Sequence, residues 1–161
     1  MRAGVLTVSD RVSRGEAADV SGDTLEELLL ADGFEVTRRL VPDERDAIAS
    51  AISDLAADAN LVVSTGGTGL AARDVTPEAT RSVLDRESPG IAEAIRADSI
   101  AKTPHGLLMR GVAGTIGSAL VVNLAGSPGA CRDGYAVLRP ALTHALNLLA
   151  DQTTATDHIH T

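Results

Sequence analysis

Aromatic residues and cysteine are almost missing from this chain: its 161 residues include one Phe, one Tyr, no Trp and one Cys. A single cysteine, Cys131, cannot close an internal disulfide, so a reducing cytoplasm is the expected compartment. Without stacked rings, a platform for single-stranded nucleic acid is not expected. The core must instead be built from Val, Leu, Ile and Ala. Positive charge is also short, with 14 Lys and Arg against 22 Asp and Glu, a net charge of -8. Duplex binding needs a basic footprint, and an acidic surface disfavours anionic membranes, so neither is an expected partner. No apolar run approaches the ~20 residues that span a bilayer. No N-terminal stretch resembles the apolar region of a signal peptide.

What is present is ordinary for a globular domain: 44% hydrophobic and 22% charged residues. The length predicts one domain, over residues 1–150, followed by a loose polar tail, 151–161. Short apolar runs at 3–8, 34–41 and 61–64 predict strands. Helices are predicted from Ser21 to the Asp32-Gly33 stop, after Pro42-Asp43 with Ile48, Ile52 and Leu55 on one face, and from Thr76-Pro77 with Thr76 as N-cap. Another follows over 91–101, and a last one ends near Leu149. Strands are predicted at 107–110 and 119–124, either side of Gly111, Gly114 and Gly117, and a loop over 11–20. Such alternation predicts an α/β fold with a mostly parallel sheet covered on both faces. Ligands bind such sheets beyond the C-terminal strand ends. Three segments converge there: Ser9-Asp10, Thr65-Gly66-Gly67-Thr68-Gly69, and Asn123 to Pro128.

The glycine run suits a phosphate or carboxylate, because it exposes backbone N–H groups without side-chain clash. It matches neither the dinucleotide nor the Walker spacing, and a tight strand-to-helix turn also explains it. Asp43 and Asp74 lie beyond strand ends, where two carboxylates could hold Mg²⁺ together with substrate phosphates. Capping is the plainer reading of Asp43, and a solvated loop acid that of Asp74. Asn123, Gly126, Ser127 and Pro128 could line a pocket, or Ser127-Pro128 could simply start a helix. Cys131 is expected to be a small buried hydrophobe. His105 and His144 stand alone, and metal binding by His158 and His160 is a weak reading.

Taken together, these segments resemble the molybdenum-cofactor biosynthesis proteins of the molybdopterin adenylyltransferase family. The resemblance rests on Thr7-Val8-Ser9-Asp10, Ser21-Gly22-Asp23, Pro42-Asp43-Glu44, Thr65 to Gly69, Arg73-Asp74-Val75-Thr76-Pro77-Glu78-Ala79, Pro89-Gly90 and Gly126-Ser127-Pro128, in that order. It implies a three-layer α/β/α sandwich, a homotrimer, and the substrates molybdopterin and Mg-ATP. The implied reaction moves AMP to the terminal phosphate of molybdopterin and releases pyrophosphate. A separate molybdate-insertion protein would then receive the product. The family's catalytic, Mg²⁺-associated aspartates fall on Asp43 and Asp74. Nucleotide and phosphate binding falls on Thr65, Gly66, Gly67, Thr68 and Gly69. Ser9, Asp10, Asn123, Gly126, Ser127 and Pro128 complete the implied binding residues. Met109 stands where relatives often carry Ser, and Ala125 where they carry Pro. A non-catalytic molybdopterin carrier of the same fold is the alternative.

Overall fold

Period-two burial sets the architecture. In β1 (Arg2–Val8) and β3 (Leu61–Thr65), successive apolar side chains enter opposite faces of one sheet, and every residue from Ala3 to Val8 and from Leu61 to Thr65 is buried. Only a sheet covered on both sides needs such continuous runs. The computed structural model describes residues 1–157. Its remaining elements are α1 (Asp10–Ser13), α2 (Val20–Ala31), β2 (Glu35–Val41), α3 (Arg45–Asp58), α4 (Thr76–Arg81), β4 (Arg86–Glu87) and α5 (Pro89–Lys102). A 3-10 turn (Pro104–Leu108), β5 (Ala113–Ile116), β6 (Ala119–Leu124) and α6 (Pro128–Asp157) follow.

The strand order is β2-β1-β3-β6-β5-β4. The first four strands are parallel, and β5 and β4 run antiparallel. One face carries α2, α5 and α6: Leu25, Leu29, Ile95, Leu138, Leu142 and Leu146 pack on Val5, Val63, Leu120 and Val122. The opposite face carries α3 and α4: Ile48, Ile52, Leu55 and Ala79 pack on Leu6, Val8, Val62 and Val121. This is the expected three-layer α/β/α sandwich. The register pairs Thr7 with Thr65 and Thr65 with Leu124. Strands β1, β3 and β6 therefore end level, and the chain after each emerges at one rim.

Three local expectations need correction. Residues 107–110 are not a strand. Thr103 accepts the His105 N–H and Pro104 fixes φ, so an apolar run that would suit a strand becomes a 3-10 turn. The strand lies downstream at β5, joined to β6 by the Gly117 turn (φ +54°). The loop at 11–20 holds α1, capped by the Ser9 hydroxyl, which accepts the Val12 N–H at 3.2 Å. The final helix continues beyond Leu149 to Asp157, a stretch free of Gly and Pro. His158 and His160 lie outside the described residues. Among the described residues no helix is long and apolar enough to cross a membrane.

Candidate active site

The glycine run leaves β3 and is tied down through its carbonyl groups. The Gly66 carbonyl accepts the Thr76 hydroxyl at 2.9 Å, and the Gly67 carbonyl accepts the Thr76 N–H at 3.1 Å. The Thr68 carbonyl accepts the Arg110 N–H, and the Gly69 carbonyl accepts Arg110 Nε, both at 2.8 Å. The Gly66 N–H is donated to the Leu124 carbonyl. Among the described residues the N–H groups of Gly67, Thr68 and Gly69 have no partner. Four carbonyls held and three consecutive N–H groups left open make a fixed cradle for an anion. Glycine is required at Gly66 and Gly67, whose φ angles are +98° and +67°. A Cβ at Gly66 would collide with the Val8 carbonyl.

Thr76 does not cap α4 as expected. Val75 occupies the cap position, and the buried Thr76 side chain is turned back to hold the glycine run. Arg110 completes the hold: Nη2 donates to the Asp74 carbonyl at 2.7 Å, and Nη1 pairs with Glu78. That guanidinium keeps the Glu78 carboxyl below its ordinary value, and Glu78 Oε2 is buried without a partner. Arg110 was missed by sequence reasoning because it acts on backbone carbonyls, which leave no side-chain pattern.

Asp43 and Asp74 both border this run. A Cβ placed on Gly67 would come within 3.1 Å of Asp43 Oδ1, and one on Gly69 within 2.8 Å of Asp74 Oδ2. Capping does not account for Asp43. The cap position of α3 is Glu44, and no side chain caps that helix. Asp43 Oδ2 instead accepts the Asp10 N–H at 2.9 Å, while the Asp43 N–H is donated to Asp10 Oδ1 at 3.0 Å. Burial pushes the Asp43 carboxyl above its ordinary value, the charges of Asp10 and Asp74 add to this, and the Asp10 N–H and Arg73 oppose it. Asp74 Oδ2 accepts the Ala71 N–H at 3.0 Å. Asp43 Oδ1 and Asp74 Oδ1 accept no hydrogen bond from the described residues.

The other candidates divide between rim and interior. Gly126 meets the glycine run directly, since a Cβ there would lie 3.2 Å from Gly66 Cα. Ser127 Oγ accepts the Ala130 N–H at 3.1 Å and so caps α6, which starts at Pro128. Thr65 is buried, its hydroxyl donated to the Ala125 carbonyl at 3.0 Å. Asn123 is buried behind the rim. Its amide donates to Ser64 Oγ at 2.8 Å and Thr80 Oγ1 at 3.0 Å, and its Oδ1 accepts the Val112 N–H at 3.1 Å. It thus ties β3, α4 and the segment entering β5 to its own strand, β6, rather than facing solvent. Cys131 is buried, and burial pushes its thiol above the ordinary value.

Two hollows flank the Gly66–Gly126 contact. One, of about 330 Å³, is bounded by Gly67, Thr68, Gly69, Asp74, His105 and Met109. The other, of about 270 Å³, is bounded by Ser9, Ser21, Thr65, Gly66, Gly126 and Pro128. Polar rim groups and two adjoining hollows suit two substrates that react with each other. A larger cavity, of about 580 Å³, lies beside Met1, Asp32 and Phe34 at the opposite strand ends and holds none of these groups.

A family model described as a probable molybdopterin binding domain matches residues 4–144, from β1 into α6. The chain belongs to this family. Relatives of this molybdopterin-binding domain include the molybdopterin adenylyltransferase of Helicobacter pylori (strain J99), 38% identical over 151 residues, covering 91% of this chain and 86% of the relative. The molybdenum cofactor synthesis protein cinnamon of Drosophila melanogaster is 36% identical over 162 residues, covering 98% of this chain and 27% of the much longer relative. Among solved structures, the molybdopterin biosynthesis enzyme MoaB from Thermus thermophilus is 46% identical with a TM-score of 0.86, covering 92% of this chain and 95% of that one. In this family member the whole rim, from Ser9 to Pro128, lies within the matched residues.

Proposed function

We propose that this chain is a molybdopterin adenylyltransferase of molybdenum cofactor biosynthesis. It transfers AMP from ATP to the terminal phosphate of molybdopterin and releases pyrophosphate. The observation that carries this reading is the cradle of three open N–H groups set between Asp43 and Asp74. The relatives named for this activity support it.

An ionised phosphate oxygen of molybdopterin attacks the α-phosphorus of ATP. A new P–O bond forms, and the bond to the β-phosphate oxygen breaks, with its electrons leaving on pyrophosphate. The nucleophile is already an anion at neutral pH, so no Ser, Cys or His is needed to activate it. Catalysis then consists of positioning and charge neutralisation. Open N–H groups of Gly67, Thr68 and Gly69 hold phosphate oxygens, and Thr76 and Arg110 keep those donors aimed. Mg²⁺ fits the residues present: Asp43 and Asp74 both border the phosphate cradle and each keeps one carboxylate oxygen free of hydrogen bonds from the described residues, a donor set this ion accepts together with phosphates. When bound, it would offset phosphate charge.

The protein works in the cytoplasm, in keeping with its single buried thiol. It forms a homotrimer, a reading supported by the exposed side chains of Ile100, Leu107 and Leu108 on α5 and the turn packed beside it. It passes its product to a molybdate-insertion protein. Cinnamon, where the matching region is one part of a longer cofactor synthesis protein, supports that sequence of steps.

Purified protein with ATP, Mg²⁺ and molybdopterin should release pyrophosphate, and omission of molybdopterin should abolish the release. Binding of molybdopterin with no pyrophosphate formed would make the chain a carrier instead.

A further inference from the structure

We infer that Asp10, gripped by Arg73, is a positioning residue that aims the Asp43 carboxylate at the glycine run. The inference rests on the proposed reading of Asp43 as a group that faces the nucleotide phosphates.

Asp10 and Asp43 form a closed pair of reciprocal bonds, each backbone N–H donating to the other's carboxylate. The pair joins the chain leaving β1 to the chain leaving β2. It engages Asp43 Oδ2 and leaves Oδ1 turned toward Gly67. Asp10 is itself oriented by a two-pronged contact: Arg73 Nε donates to Oδ2 at 2.5 Å and Nη2 to Oδ1 at 3.0 Å. Both Asp10 oxygens are therefore engaged within the protein, so Asp10 does not present an open carboxylate to a ligand. Arg73 immediately precedes Asp74, so one clamp ties together three segments of the rim.

Stability does not explain the clamp. The Arg73 side chain is 59% exposed, and an ion pair with so exposed a partner adds little to folding. Orientation does explain it. A half-buried aspartate on the irregular segment after β2 would otherwise sample several rotamers, and losing alignment at a reacting centre can cost ~10²-fold in rate.

The test is a double-mutant cycle on Asp10 and Asp43, with melting temperature recorded for every variant. Two quantities are measured: kcat for pyrophosphate release, and the gain in ATP affinity on adding Mg²⁺, read by calorimetry without turnover. Asp10→Ala should lower both about 10-fold or more while the melting temperature and the affinity for ATP without Mg²⁺ stay near wild type. Arg73→Gln should produce a smaller loss of the same kind. Asp10→Asn keeps an acceptor for the Asp43 N–H and should be milder than Asp10→Ala. Combined with Asp43→Asn, Asp10→Ala should add almost nothing to the loss from Asp43→Asn alone.

Losses that multiply in the double variant would show that Asp10 acts independently and would overturn the inference. So would an Asp10→Asn variant as damaged as Asp10→Ala, because charge rather than aim would then be what Asp10 supplies. If wild-type protein gains ATP affinity with Mg²⁺ yet never releases pyrophosphate, the proposed reaction fails while the affinity cycle still tests the clamp.

Discussion

Two polar residues, one half-buried at the rim and one buried behind it, show how differently similar chemistry can be used. Asp74 engages Oδ2, the oxygen beside Gly69, with the Ala71 N–H and leaves Oδ1 without a hydrogen bond from the described residues. An Asp74→Asn variant retains that internal acceptor, so it should fold with an unchanged melting temperature. It should nonetheless transfer AMP at least ~10²-fold more slowly, the scale for losing one charge-stabilising group. Turnover at the wild-type rate would remove Asp74 from the chemistry. Asn123, by contrast, is engaged on every side by Ser64, Thr80 and Val112. Replacing it with Leu strands the Ser64 hydroxyl and the Val112 N–H without water, at about 1–3 kcal/mol for each group left unsatisfied, while Thr80 keeps its bond to the Thr76 carbonyl. Chemical denaturation should therefore show a loss of several kcal/mol; a stability near wild type would mean the network rearranges freely. Both side chains were legible in the sequence as polar residues at strand ends. Their opposite orientations were not, because a residue one step inside a strand and one in the following loop look alike until the register is known.

Helices and strands answer to different forces along the chain. The link between the end of α2 and the middle of α6 is polar: Asp32 accepts from Tyr135 at 2.7 Å and from Arg139 at 2.8 and 2.6 Å. Arg139 foremost, then the Tyr135 hydroxyl, keeps the Asp32 carboxyl below its ordinary value. A carboxyl with a folded pKa below its unfolded one adds stability above the unfolded value, near 3.9, and loses it as pH falls through the folded one. Asp32→Asn should accordingly lower the melting temperature at pH 7, and the gap to wild type should close as the pH falls below about 4. An equal gap at pH 7 and pH 3 would show that the ionised form contributes nothing. Element by element, the buried strands were readable because runs such as Leu61-Val62-Val63 suit little else. The two-residue strand Arg86–Glu87 carries no apolar pattern and exists only because β5 offers it a partner. The apolar stretch Leu107-Leu108-Met109 misleads for the opposite reason, since Pro104 and the Thr103 cap outweigh its hydrophobicity.

Assembly is a property of the whole chain, and the sheet limits where it can occur. The apolar segment at 111–124 does not form an exposed edge pair. Strand β6 lies inside the sheet, and β5 is partly covered by β4. The surface available for association is instead that of Ile100, Leu107 and Leu108 beside the rim. A net charge of -8 on each chain is screened beyond ~8 Å at physiological salt and does not forbid close packing. Sedimentation at micromolar concentration should find a species of about three times 16.5 kDa, and a lone species at 16.5 kDa would refute the trimer. The rim is also assembled from remote parts of the chain. Asp10 meets Asp43 across 33 positions and Arg73 across 63, Thr65 meets Ala125 across 60, and Ser21 meets Gly126 across 105. Contacts this far apart close large loops and form late, whereas α3 and α6 need only local contacts. On refolding from denaturant, helical circular dichroism should therefore return before nucleotide affinity does. No fragment lacking either β1 or β6 should bind ATP at all, so synthesis of the chain must pass residue 128 before the first competent cradle can exist.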